Sequence, residues 1–180
     1  MIKIEEANID SLTDVEFERL YDIVIIAYRE TEKEVWGENY VRISKDDFKK
    51  HISAGEILVA RNEEERVVGG VRCFQLRDGV WSFSLLGADF NEKGKGIGRA
   101  LINAVEERAL AQGGHSINIE ILRAKDINTE FKTILSNWYQ RLGYDYIKAL
   151  DVYEVYDLPE KWSKLVNPSV FDCYQKKLTP

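Results

Sequence analysis

Apolar and polar residues alternate in Ile2-Lys3-Ile4-Glu5-Glu6-Ala7, which predicts a short strand at the start of the chain. The period then lengthens. Leu20, Ile23, Val24 and Ala27 share one face of a helix that opens after Thr13, and Glu16 completes a capping box with that threonine. Residues 31–43 keep no clean period and are expected to form a loop or a broken second helix. Ser44 with Asp47 marks the cap of a short helix over 46–55. Three β-rich runs follow at 56–61, 66–76 and 80–88, separated by the polar turns 62–65 and 77–79. Short polar turns between such runs predict an antiparallel meander. At 97–112 the helical period returns, with Ile97, Leu101, Ala104, Val105 and Ala109 on one side and Gly113-Gly114 as the stop. Residues 115–122 read as a strand again. A strand, glycine turn, helix and strand in succession predict a right-handed crossover between parallel strands.

The remainder predicts one more helix and two strands. Asp126 to Thr129 supply caps, and Phe131, Ile134, Leu135, Trp138 and Leu142 recur at helical spacing before Gly143, with Leu135, Trp138 and Leu142 as the buried stripe. Residues 144–156 and 170–178 read as strands, joined by a connection over 157–169. No repeat or interdomain linker interrupts the pattern. The expected fold is therefore a single mixed α/β (α+β) domain over residues 1–180, in which an antiparallel meander leads into one parallel strand-helix-strand crossover.

Charge and cysteine usage narrow the function classes. The formal net charge of −6 disfavours a nonspecific nucleic-acid binder and suits cationic small molecules. Cys73 and Cys173 stand far apart with no CxxC spacing, so neither a zinc site nor any other metal is expected. The first residues lack a basic stretch followed by an apolar one, and no apolar run approaches the ~20 residues of a membrane span. Free thiols in a reducing cytoplasm, away from membranes, are the expectation.

The stretch Lys93-Gly94-Lys95-Gly96-Ile97-Gly98-Arg99-Ala100 carries the chemistry. It lies between a predicted strand and a predicted helix. The first N–H groups of a helix have no internal partner and sit at the positive end of its dipole. Glycines let the backbone bend and let a phosphate approach without a Cβ in the way. Lys93, Lys95 and Arg99 add full charges, so the stretch reads as an anion site, best suited to a pyrophosphate. The dinucleotide fingerprint GxGxxG/A fails in register, since its last position falls on Arg99 or Leu101, and no GxxxxGK[ST] is present.

Residues 86–101, LGADFNEKGKGIGRAL, resemble the acetyl-CoA signature of the GNAT superfamily of N-acetyltransferases, a strand ending in L-x-V followed by Q/R-x-x-G-x-G/A at a helix start. Trp138-Tyr139-Gln140-Arg141-Leu142-Gly143-Tyr144 is similar to the family's aromatic-Tyr-x-x-Leu-Gly-aromatic segment. The order of elements agrees over nearly the whole chain. Three positions depart: Lys93 stands where the family has Gln or Arg, Phe90 where it usually has proline, and Lys132 where it often has an asparagine that touches the coenzyme. A lysine still donates a hydrogen bond, but as a point charge and not as a planar fork.

The resemblance implies a GNAT-like fold with helices on both faces of the sheet, and direct transfer of an acetyl group from the cosubstrate acetyl-CoA to an amine. The strand ending at Ala88 and the strand of Asn118 to Leu122 would part to admit the pantetheine arm. A bulge near Leu86, Gly87 and Ala88 would free backbone groups to bind that arm and to steady an oxyanion. Gly94 to Ala100, with Lys93, would hold the pyrophosphate. Tyr139 matches the family's general acid. Glu120, read as lying near the end of its strand, is the first candidate base, with Glu30, Glu32 and Glu34 as alternatives. The acceptor, a small-molecule or peptide amine, would meet aromatics and carboxylates among Trp36, Tyr40, Tyr144, Tyr146, Tyr153, Tyr156, the same Glu30, Glu32 and Glu34, and Glu38, Asp151 and Glu154, which suit a cation. Many family members pair as dimers, so a homodimer is a further implication. The competing class is a noncatalytic acyl-CoA-binding sensor that keeps the pocket without the chemistry.

Overall fold

A computed structural model of the chain describes residues 1–180. A mixed sheet of seven strands runs in the order β1-β2-β3-β4-β5-β7-β6. The strands are β1 (Lys3–Glu6), β2 (Ile57–Arg61), β3 (Val67–Arg77), β4 (Val80–Ala88), β5 (Ser116–Ala124), β6 (Asp145–Asp151) and β7 (Ser169–Lys177). The longer helices are α1 (Asp14–Thr31), α3 (Lys45–Ser53), α4 (Ile97–Ala111) and α5 (Glu130–Arg141). Single turns of helix form α2 (Lys33–Trp36), α6 (Val152–Val155) and α7 (Pro159–Trp162). The mixed α/β class and the meander followed by a parallel crossover are thus as expected. β1 to β4 pair antiparallel in sequence order, and β4 pairs parallel with β5 at Val80–Ser116 and Trp81–Ile117.

The chain divides into two compact units. The first holds residues 1–28, 41–117 and 178–180. Its meander is covered by helices on both faces. Neighbouring residues of a strand point to opposite faces. A Cβ at Gly69 would meet Ile97 of α4 at 2.8 Å, and one at Gly70 would meet Leu20 of α1 at 2.7 Å. Phe17, Leu20, Val24, Phe48, Ile57, Val59 and Leu85 form a shared apolar core under α1 and α3. The capping box read at Thr13 closes as expected: Glu16 N–H donates to Thr13 Oγ1 at 3.2 Å, and Thr13 N–H donates to Glu16 Oε2 at 2.9 Å.

The second unit holds residues 29–40 and 118–177. Here β6 and β7 pair antiparallel, and Val35, Trp36, Leu122, Ala124, Val152, Trp162 and Phe171 make the core. Two readings need correction. The strand expected over 144–156 stops at Asp151, where Asp151 and Glu154 close a capping box and start α6. In α5 the expected buried stripe is not the buried face: Leu135, Trp138 and Leu142 are only half-buried, Phe131 and Ile134 beside them are exposed, and the buried residues are Lys132 and Tyr139. The buried face of this helix thus lies to one side of its apolar stripe.

Candidate active site

The glycine turn belongs to the first unit. β4 ends at Ala88, a 3-10 turn spans Phe90–Glu92, and α4 begins at Ile97. Gly94 and Gly96 take φ of +82° and +75°, and nothing lies within 4 Å of where their Cβ atoms would be. That left-handed backbone strongly favours glycine. Gly96 is the residue capping α4, and the first helical bond runs from Ala100 N–H to its carbonyl. The N–H groups of Ile97, Gly98 and Arg99 therefore have no acceptor within the helix. The turn is open, glycine-lined and rich in unspent donors.

Two carboxylates fix the turn. Asp89 accepts from Asn91 N–H at 2.9 Å and from Arg19 Nη2 at 2.6 Å, which ties the turn to α1. Burial raises the Asp89 carboxyl, but Asn91 N–H and the Arg19 guanidinium outweigh it and hold the group below its ordinary value. Glu92 is buried and binds Lys95 Nζ at 2.5 Å and Arg66 Nη2 at 2.9 Å. Lys95, and behind it Arg66, keep the Glu92 carboxyl low. Of the three cations read in the motif, Lys95 is thus already paired. Lys93 and Arg99 are exposed on either side of it. Sequence reasoning missed Arg19, Arg66 and Glu92, because pairs made by distant parts of the chain leave no local pattern.

The strand before the turn is bulged. Gly70 faces Gly87 and Arg72 faces Ser84, so two steps on β3 answer three on β4. The irregularity falls at Leu85-Leu86, slightly earlier than the expected position. Leu85 has φ of +54°, a conformation costing a leucine on the order of 1–3 kcal/mol, and its buried side chain is gripped by the first unit's core. Leu86 is left out of the register with β3. Gly87 lies against α1: a Cβ there would meet Val24 Cα at 3.1 Å and Ile23 O at 3.2 Å.

Tyr139 and Glu120 belong to the second unit. Tyr139 is 3% exposed, with its ring edge-on to Tyr144 at 5.9 Å and tilted against Tyr174 at 6.2 Å. The Tyr174 hydroxyl shares a 2.8 Å hydrogen bond with Ser136 Oγ, and burial pushes its phenol above the ordinary value. Glu120 is exposed and lies mid-strand, since β5 runs on to Ala124. It accepts a 2.8 Å hydrogen bond from Tyr156 Oη. Among the alternative carboxylates, Glu32 is buried and accepts from Trp36 Nε1 at 2.9 Å, while Glu30 pairs with Lys33. The aromatics divide: Trp36 and Tyr144 are core, whereas Tyr146, Tyr153 and Tyr156 are exposed. No group of three or more His, Cys, Asp or Glu side chains is placed to hold a metal ion, and no helix is long and apolar enough to cross a membrane.

Residues 17–144 match the Acetyltransferase (GNAT) family. The chain belongs to the GNAT acetyltransferases. Solved GNAT structures share its fold from end to end. Ard1 from Thermoplasma volcanium is 15% identical, with a TM-score of 0.68 over 99% of each chain. A phosphinothricin acetyltransferase from Sinorhizobium meliloti, solved with AcCoA, is 14% identical with a TM-score of 0.67 over 98% of this chain and 88% of its own. An aminoglycoside 6'-N-acetyltransferase complexed with coenzyme A is 18% identical with a TM-score of 0.67 over 99% and 98%. No curated protein matches the sequence. Within the GNAT match lie both the glycine turn and Tyr139.

Proposed function

We propose that this GNAT protein transfers an acetyl group from acetyl-CoA to a primary amine by direct attack on the thioester carbonyl. The observation that carries the reading is the turn before α4, where Gly94 and Gly96 leave open space above N–H groups at a positive helix end. That cradle and the exposed cations Lys93 and Arg99 suit a pyrophosphate. The acetyl-CoA and coenzyme A bound by two relatives support the ligand class. In this reading Lys93 to Ala100 hold the pyrophosphate. The backbone of Leu86, Gly87 and Ala88 receives the pantetheine arm, and a backbone N–H there steadies the developing oxyanion. The family match runs through residues of both units, which supports one catalytic domain.

The protons then need carriers. An alkyl ammonium with a pKa near ~10.4 costs roughly 4–5 kcal/mol to deprotonate at pH 7. Glu120 takes that proton, through a water, and the free amine attacks the thioester carbonyl, forming the C–N bond and the oxyanion. As this intermediate collapses and the C–S bond breaks, Tyr139 gives its proton to the departing CoA sulfur, and the second proton shed by the nitrogen restores the phenol through solvent. The acceptor is a small-molecule or peptide amine, cationic in keeping with the exposed tyrosines and carboxylates of the second unit. Steady-state acetylation of an amine panel tests this. Tyr139→Phe is expected to lower kcat by about a hundredfold while KM for acetyl-CoA stays within about twofold. Unchanged kcat removes Tyr139 from the chemistry. Absence of turnover with every amine, in protein that binds acetyl-CoA, turns the reading to a noncatalytic acyl-CoA sensor.

A further inference from the structure

α5 presents an arrangement that its sequence opposes. Phe131, Ile134, Leu135, Trp138 and Leu142 make an apolar stripe, yet Phe131 is 42% and Ile134 55% exposed. Lys132 and Tyr139 are 8% and 3% exposed instead. At about 100° per residue these two project together, roughly 90° around the helix from the stripe's centre. A helix placed by apolar burial alone would turn the stripe inward. Something specific must hold it in this roll. A buried ammonium is costly unless it is hydrogen-bonded, and Lys132 Nζ donates to the Leu122 carbonyl of β5 at 2.7 Å. At the same end of the helix, Lys132 N–H donates to the capping Thr129 Oγ1 at 3.2 Å. Lys132 is thus fixed through both its side chain and its backbone. Two turns further on, the same face delivers Tyr139 among Tyr144 and Tyr174.

We propose that Lys132 is a positioning residue for the transfer reaction: its ammonium, bonded to the Leu122 carbonyl, holds α5 in the roll that carries Tyr139 into the interior. The inference rests on the proton-donor role read for Tyr139. It assigns a use to a lysine that is buried on this helix and bonded to a strand carbonyl. The use is orientation of another side chain and not contact with the reacting atoms.

The test is a double-mutant cycle on the full chain, with steady-state kinetics on an amine that turns over. Lys132→Met keeps the volume and removes the donor. It is expected to lower kcat about tenfold, with KM for acetyl-CoA unchanged within twofold. In a Tyr139→Phe background the same change is expected to cost less than twofold further, because the tyrosine it positions no longer donates. Lys132→Arg, which keeps a cationic donor, is expected to recover kcat to within threefold of wild type. Independent losses in the cycle, or an arginine variant as slow as the methionine one, overturn the proposal even if Lys132→Met folds poorly. If Tyr139→Phe alone leaves kcat unchanged, the proton-donor reading fails and takes this inference with it. If Tyr139→Phe is slow and only the cycle is additive, the proton-donor reading stands and this inference alone falls.

Discussion

Gly87 shows how a single missing Cβ serves the site. Its Cα approaches α1 so closely that an alanine would press on the Val24 Cα and Ile23 carbonyl, which are backbone atoms and cannot swing aside. Gly87→Ala is expected to destabilise the fold by about 1–3 kcal/mol, measured by urea unfolding, and to weaken acetyl-CoA binding as β4 shifts. Asp89 supports the next step of the turn by charge. Its carboxyl is held below the ordinary value in the folded state. Its stabilising contribution is therefore present above the unfolded value near ~3.9 and is lost as pH falls through the lower folded value. Thermal melting from pH 7 down to 3 is expected to show a shallower acid slope in Asp89→Asn than in wild type. An identical slope would mean that the Arg19–Asp89 pair contributes nothing. Cys73 gives a third readout at this scale. Burial pushes its thiol up to about 11. It is expected to resist a thiol reagent at pH 8 until the protein unfolds.

Elements differ in how much of their placement their own residues state. α1 was fully legible, because Thr13 and Glu16 cap it locally and Leu20, Ile23 and Val24 need only a sheet to cover. Thr13→Ala is expected to cost about 1 kcal/mol in unfolding free energy. The glycine turn and α4 were equally legible, since left-handed backbone and a bare helix start demand glycine at fixed places. α6 reads as strand because Val152, Tyr153 and Val155 have strand propensity, although Asp151 and Glu154 stand at capping-box spacing. α5 was found, but its buried face was not: periodicity ranks faces by hydrophobicity and cannot foresee a lysine bonded to a carbonyl of another element. A bulge near Leu86, Gly87 and Ala88 is expected from the resemblance and not from local chemistry, and it falls slightly earlier, at Leu85-Leu86. Nothing about a leucine announces φ of +54°, which the surrounding core imposes. The partners Arg19 and Arg66 were invisible for the related reason that ion pairs across 70 and 26 residues carry no spacing rule.

Across the whole molecule, the net charge of −6 opposes an anionic ligand, so the turn's attraction for phosphate must be local. Lys93 and Arg99 are exposed, and salt screens exposed charges over about 10 Å at 0.1 M. Acetyl-CoA affinity is expected to fall with added salt, and Lys93→Ala with Arg99→Ala together to flatten that dependence. The helix-end N–H groups, which carry no net charge, should keep part of the affinity. The most direct measurement is calorimetric titration of wild type and Gly96→Glu with acetyl-CoA, with NADH and ATP as controls and a thermal melt to confirm folding. Tight binding of acetyl-CoA alone, abolished by a glutamate forced into the left-handed cap of α4, is the predicted result. Folded wild-type protein that takes up no acetyl-CoA, or a glutamate variant that binds it as well as wild type, would contradict the account.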